Sequence, residues 1–344
     1  MRLAFKQVAV FSTEFFRHVN TDWRHIIAHR HRIGFIGAGN IGGTAALLAC
    51  VEKLGSIVLF DINQGVAKGK ALDIAQSLPI QNISSTVIGT ANPKDLAGCS
   101  VVIVTAGIPR KAGMSRDDLL DINAKIMKSC AIMVRENCPD AFCIIITNPL
   151  DAMVWAFAKI SGLPAHMVIG MAGILDTARY RYFLSLALKC DPCQIQTLVL
   201  GGHADAMLPL PSHTTVAGIP LQHYIDTQMI TWPEHDKIVN RTRMGGGEIV
   251  GLLENGSAYH APAAAALQMA RSYLFDERKC LPCAVYQDEI LGVRDIYAGL
   301  SVVISGNGAR DVIIPTLTAD EEEQLRTSLK GVENLIQQIK PHVY

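Results

Sequence analysis

Three stretches of the chain carry side chains that could act together on a small anion. In "LDTARYRYF", Asp176 and Arg179 stand three residues apart, on one face of a helix. In "LVLGGHADAMLPL", His203 follows an apolar run and two glycines, in a bend that can expose the imidazole to a cleft. If the Asp176 carboxylate reaches that ring, the pair becomes a general base whose partner fixes the tautomer and stabilises the imidazolium. "TAGIPRKAGMSRDDLL" adds Arg110, Lys111 and Arg116 on a loop with Gly107, Pro109 and Gly113. Guanidinium pairs bidentately with carboxylate, so two arginines there suit a small dianion. "TNPLD" sets Asn148 at the end of an apolar run, where its amide can donate to a hydroxyl or carbonyl oxygen. Each feature also has a plain structural reading: a solvated basic turn, a turn-forming Asn-Pro pair, a surface histidine, an ordinary ion pair.

The elements that would position these groups begin with "GFIGAGNIGG", Gly34 to Gly43. Gly37, Gly39 and Gly42 match G-x-G-x-x-G, whose glycines permit a tight turn, close approach to a pyrophosphate and helix–strand packing. "RIGFI" before them reads as a buried strand, and "GGTAALLACVEKLG" after them as a helix ending at Gly55. "SIVLFD" then forms a second strand ending in Asp61, where a nucleotide fold places the acid that accepts ribose hydroxyls. Strand, glycine loop, helix, strand and acid in that order predict dinucleotide binding.

Further apolar runs, "STVIG", "VVIVTA", "CIIIT" and "MVIGMA", continue the alternation to about Ala172. Near-continuous apolar strands separated by helices predict an α/β fold with a Rossmann-type, doubly wound parallel sheet. Ligands of such sheets bind beyond the carboxyl ends of the strands, where the Arg110 loop and Asn148 fall. The later half, with long helical segments and the strand-like "AVYQDEI" and "LSVVISG", predicts a mixed α+β second domain. An amphipathic helix with acids in its first turn follows Thr318.

The 344 residues suit two domains, and 49% hydrophobic with 18% charged residues indicates a folded chain. Lys plus Arg equals Asp plus Glu at 31 each, so no net charge attracts nucleic acid or an anionic membrane. No apolar run approaches the ~20 residues that span a bilayer. Among nine cysteines, Cys190/Cys193 and Cys280/Cys283 form C-x-x-C pairs. Their wide separation is outside the usual zinc pattern, and scattered cysteines fit a reducing compartment. Residues 1–31 hold His18, His25, His29 and His31, four arginines and two acids. That composition is compatible with an organelle transit peptide, an unstructured extension or an early start codon.

From Arg32 onward the chain resembles malate dehydrogenases of the lactate-dehydrogenase-like family. "GAGNIGGT", "VLFDI", "KALDI", "TAGIPRKAGMSRDDLL", "ITNPLDAMVW", "GMAGILDTARYR" and "VLGGHADAMLPL" match its pattern in order. The resemblance implies His203 as proton acceptor and Asp176 as its partner. It implies Arg179 on the substrate's C1 carboxylate, Arg116 polarising the reacting oxygen, Asn148 beside it, and Arg110 pairing with a second carboxylate. Lactate-specific relatives usually carry glutamine at the Arg110 position. NAD is implied as cofactor, against Gly37, Gly39, Asn40, Ile41, Gly42, Asp61, Asn123, Thr147 and Asn148, with no metal.

The implied activity is reversible oxidation of malate to oxaloacetate, a tricarboxylic acid cycle reaction, by a homo-oligomer, tetramer or dimer. The rivals are oxidation of lactate or another 2-hydroxy acid, and nucleotide sensing without catalysis. The implied division is an extension over 1–31, an NAD-binding domain over 32–175 and a substrate domain over 176–340. Cytoplasmic location is expected, or the mitochondrial matrix if the extension is a transit peptide. One departure stands beside His203: the family's "GGHGDTM" is "GGHADAM", with Ala204 for glycine and Ala206 for threonine.

Overall fold

The computed structural model describes residues 31–109, 116–254 and 256–343, with backbone alone for Arg116 and Asp117. Residues 1–30, and the loop position Arg110, lie outside the described residues. Short, mainly apolar runs form the strands β1 (Arg32–Ile36), β2 (Ser56–Phe60), β3 (Val87–Thr90), β4 (Val101–Val104), β5 (Phe142–Ile145) and β6 (Val168–Gly170), all covered on both faces except the edge strand β3, where Ile88 is exposed. All pair in parallel, in the order β3-β2-β1-β4-β5-β6, so the chain reverses direction across the sheet beside β1. That reversal opens a crevice at the carboxyl ends of β1 and β4.

The helices of this half are α1 (Asn40–Val51), α2 (Gln64–Ser77), α3 (Arg116–Asn137) and α4 (Leu150–Ser161). Helix α1 stops at Val51 rather than Gly55, because Lys53 turns to φ +56° and closes the end of the helix. The first described residue, His31, is docked: its carbonyl accepts the Ser56 N–H at 2.8 Å, and its ring meets Phe275 edge-on.

Helix α5 (Gly173–Leu188) leads out of the parallel sheet. Beyond it come β7 (Ile195–Gln196), β8 (Val199–Gly201), β9 (Met207–Pro209), β10 (Thr215–Val216), β11 (Ile219–Pro220), α6 (Leu221–Asp226), α7 (Trp232–Leu253) and α8 (His260–Leu274). Strands β12 (Lys279–Ile290), β13 (Val293–Ser305) and β14 (Gly308–Ile313) and helix α9 (Ala319–Val343) complete the chain. The later strands are not a separate sheet. Antiparallel β12 joins the edge of β6 at Gly170 and Ala284, and β13, β8 and β9 follow, giving one 11-stranded sheet among the described residues. Only β7, β10 and β11 stand apart.

One apolar core runs through both halves, from Ile33 and Phe35 to Leu329 and Ile336 of α9. A smaller cluster around Tyr180, Leu184, Ile195 and Met207 fastens α5 beneath α7. At α9, Asp320, Glu321 and Glu322 sit at the positive end of the helix dipole. The wide antiparallel ribbon and α9 thus hold the His203 bend against the parallel sheet.

Candidate active site

The glycine loop leaves β1 at Ile36 and enters α1 at Asn40. Its three glycines have three separate reasons. Gly37 takes φ +110°, and a Cβ there would stand 2.7 Å from Thr105 Oγ1 and 2.8 Å from the Ala106 nitrogen. A Cβ on Gly42 would collide with the Gly37 carbonyl oxygen, so α1 packs on its own loop only through glycine. Gly39 has neither reason: its φ is −67° and a Cβ would meet nothing within 4 Å. What glycine leaves clear at that position is space outside the protein.

That space faces the start of α1, where Gly39 supplies no side-chain cap and the first turn holds no acid. Asn40 and Ile41 begin the helix there. Uncapped N–H groups at a helix start favour an anion. The Asp61 carboxylate, at the end of β2, accepts the Ala38 N–H at 2.8 Å and the Asn63 N–H at 2.9 Å. Both oxygens keep a further lone pair for outside donors. Lys70 of α2 also reaches the loop, donating to the Gly39 carbonyl at 2.8 Å. Sequence reasoning missed this lysine, because only tertiary packing brings α2 to the glycine loop; "KALDI" was its one signal.

Loops from β4 and β5 make the opposite wall. Asn123 of α3, only 1% exposed, accepts the Ile108 N–H at 2.9 Å and donates to the Asn148 carbonyl at 2.7 Å. Thr147 donates to the Ala106 carbonyl at 2.6 Å. These two side chains tie the 105–109 and 146–149 segments together. Asn148 itself is exposed, before a cis peptide bond to Pro149. Arg116 begins α3, and its side chain, like the whole of Arg110, lies outside the described residues.

The anticipated base and its partner do meet. His203 Nδ1 lies 2.8 Å from Asp176 Oδ2, although 27 residues separate them. With Nδ1–H donating to the carboxylate, Nε2 is left free to accept a proton. Arg179, one turn along α5, has Nη1 3.6 Å from the other Asp176 oxygen. Burial pulls the Arg179 pKa down, and Asp176 opposes that fall. Burial would likewise lower the His203 pKa, but the charges of Asp176 and then Asp151 outweigh it, and the imidazole is raised above 6.5. Arg179 rests on α7 at Gly245, where a Cβ would come 3.2 Å from its Cδ. The sequence reading passed over this contact and the buried carboxylate of Asp151, which accepts the His203 backbone N–H at 2.9 Å. Its "NPLD" position was visible; its neighbour across the fold was not.

The C-x-x-C pairs take no part in this site. Cys190 and Cys193 flank the end of α5 and the turn after it, and Cys280 and Cys283 lie within β12 with unpaired sulfurs. Burial pushes the Cys283 thiol far up, which keeps it protonated and inert.

Comparison with known proteins shows the family of the chain. A family model described as the NAD binding domain of lactate/malate dehydrogenase matches residues 31–170, and one for the alpha/beta C-terminal domain matches 174–343. A malate dehydrogenase of Cereibacter sphaeroides is 48% identical over 311 residues, 90% of this chain and 97% of its own. The crystal structure of Cryptosporidium parvum malate dehydrogenase superposes with a TM-score of 0.88 at 45% identity, covering 91% of this chain and 99% of that one. The lactate dehydrogenase of the same organism, complexed with lactic acid and nicotinamide adenine dinucleotide, gives 0.87 at 41% identity, covering 90% and 98%.

Proposed function

We infer the chemistry of this site from one premise: the chain belongs to the lactate/malate dehydrogenase family. It is an NAD-dependent oxidoreductase acting on the CH–OH group of malate. A dinucleotide held at the glycine loop and Asp61 would supply the hydride acceptor for C2. His203 Nε2 takes the hydroxyl proton and returns it in the reverse direction. Asp176 holds the ring in the Nδ1–H tautomer and stabilises its protonated form. Arg179, positioned by Asp176 and the glycine face of α7, grips the C1 carboxylate. Asn148 donates to the reacting oxygen, and Arg116 polarises it.

The residues present fit the dinucleotide. Gly39 leaves clear the space that a Cβ would fill, the start of α1 has no side-chain cap and would hold a pyrophosphate, and the Asp61 carboxylate keeps lone pairs that would accept ribose hydroxyls. A 2′-phosphate would be repelled by that same carboxylate, so NAD is preferred over NADP. Asn123 and Thr147 act by fixing the 105–109 and 146–149 walls of the cleft.

The observation that carries this reading is the 2.8 Å approach of His203 to Asp176 beside Arg179. Malate rather than lactate follows from Arg110, whose cation suits the second carboxylate. The test is reduction of NAD with malate against lactate, in the unmodified protein and in Arg110→Gln. We expect malate to be strongly preferred, and the variant to lose most oxaloacetate reduction while gaining pyruvate reduction. Removing one partner of a desolvated charge pair costs about 3–5 kcal/mol, two to three orders of magnitude in discrimination. Equal rates with malate and lactate would overturn the substrate assignment.

The division of labour is between a cofactor half over 32–175 and a substrate half over 176–340. A boundary at 175/176 falls inside α5, so we place the joint at the turn before Gly173. Assembly as a homo-oligomer, tetramer or dimer, is proposed from the family resemblance. The cytoplasm is our proposed compartment, or the mitochondrial matrix should residues 1–31, Arg-rich and acid-poor, act as a transit peptide.

A further inference from the structure

His203 is held from two sides, and the proposed mechanism uses only one of them. On its ring side stands Asp176 of α5. On its backbone side stands Asp151, in the first turn of α4, whose Oδ2 accepts the His203 N–H at 2.9 Å. Asp151 is 4% exposed, and its second oxygen, Oδ1, has no hydrogen-bond partner among the described residues. An ionised carboxylate is a costly group to bury for one backbone N–H, since an asparagine carbonyl would accept the same bond without a charge. The charge therefore needs a reason of its own.

The reason lies in what faces it. The charged groups that act on His203 are Asp176 and Asp151, which favour the protonated ring, and Arg179, which opposes it. Those acting on Asp151 are His203, which favours its carboxylate, and Asp176, which opposes it. Elsewhere along the bend, Ser328 of α9 accepts the Gly202 N–H at 2.8 Å and donates to the Ala206 carbonyl at 2.6 Å, Arg243 of α7 donates to the Met207 carbonyl at 3.3 Å, and Asp205 lies within the bend itself. The two buried acids thus hold one histidine, Asp176 by its ring and Asp151 by its backbone, with the Arg179 guanidinium beside Asp176.

We propose that Asp151 is a positioning residue for the proton transfer: its carboxylate anchors the backbone of His203 and supplies a second negative charge that holds the proton on the ring. Burial pushes the Asp151 carboxyl up to about 6, and the His203 amide and ring hold it from rising further, so the carboxylate is the major form at neutral pH. Protonating the ring relieves the repulsion between the two carboxylates. The ring then holds its proton more firmly than Asp176 alone would ensure, which favours the form that donates to oxaloacetate.

The inference rests on His203 being the proton carrier, and its first test needs no turnover. The His203 ring is titrated by NMR in histidine-labelled protein, unmodified and Asp151→Asn, without substrate. Asparagine keeps the acceptor for the His203 N–H and removes the charge. We expect the ring midpoint to fall by about half a unit or more. The pH profile of kcat/KM for malate oxidation, which needs the neutral ring, should move to lower pH by the same amount. The fall of oxaloacetate reduction, which needs the protonated ring, should move with it. Asp151→Ser is read in the same way if the asparagine variant does not fold. An unmoved midpoint, with activity lowered equally at every pH, would overturn the proposal, as would failure of both variants to fold. Absence of malate oxidation in the unmodified protein would instead strike the function reading, and leave the ring titration to decide this one.

Discussion

Ala204 follows His203 directly and takes φ +64°, a left-handed conformation that costs an L side chain about 1–2 kcal/mol. The family resemblance leads one to expect glycine there. The bend is nevertheless made, because bonds from outside over-determine it: Asp151 holds the His203 N–H, and Ser328 holds both Gly202 and the Ala206 carbonyl. Ala204→Gly should therefore raise stability by about 1 kcal/mol in urea denaturation, the relieved strain exceeding the added chain entropy of glycine. An unchanged or lower stability would mean that the alanine is unstrained. At the same scale, His203→Asn should lower malate oxidation by at least ~10²–10⁴-fold, while NADH binding measured by fluorescence stays within a few-fold. The histidine lies on the bend after β8 and has no part in the glycine loop.

At the scale of elements, the glycine loop separates binding from folding within six residues. Gly42 faces the Gly37 carbonyl across a gap that no Cβ can enter, so Gly42→Ala must push α1 off β1. Gly39 faces open space. We expect Gly39→Ala to melt within a degree or two of the unmodified protein and to bind NADH at least tenfold more weakly by titration calorimetry. Gly42→Ala should melt well below both. If Gly39→Ala bound NADH normally, the start of α1 would not be the pyrophosphate site. Asp61 is less separable, because the carboxylate proposed for the ribose also holds the Ala38 and Asn63 N–H groups. Its replacement would loosen the loop along with the cofactor preference.

For the whole molecule, proton exchange at the proposed base, His203, should set the pH response in both directions of reaction. His203 is raised above its ordinary value of 6.5, so malate oxidation should climb with pH through a midpoint above that value. Oxaloacetate reduction should fall through the corresponding midpoint of the NADH complex. The same shift acts on stability. A group whose folded pKa is raised binds its proton more tightly when folded, so its contribution is full below 6.5 and is lost as pH rises through the folded value. Denaturation of the unmodified protein and His203→Asn across that window should show the difference between them change in favour of the variant as pH rises. A difference independent of pH would show that the ring's proton is not held by the fold.

The sequence by itself determined the local pieces. Runs such as "VVIV" and "CIII" have no polar residue to face water, so they could only be strands covered on both sides. The G-x-G-x-x-G spacing and Asp61 placed a nucleotide loop, and glycines before His203 marked a bend. Tertiary structure alone decided which of these pieces meet. The 2.8 Å contact of His203 with Asp176 crosses 27 residues, the anchoring of His203 by Asp151 crosses 52, and the Ser328 bond to Gly202 crosses 126. It also decided that β12 would extend the parallel sheet at Gly170, where the second half had read as a domain with its own strands. Periodicity reports which face of an element is buried, because that depends on neighbours along the chain. It carries no record of what is buried against that face, and so a buried aspartate beside a proline turn stays unread until the fold brings its histidine to it.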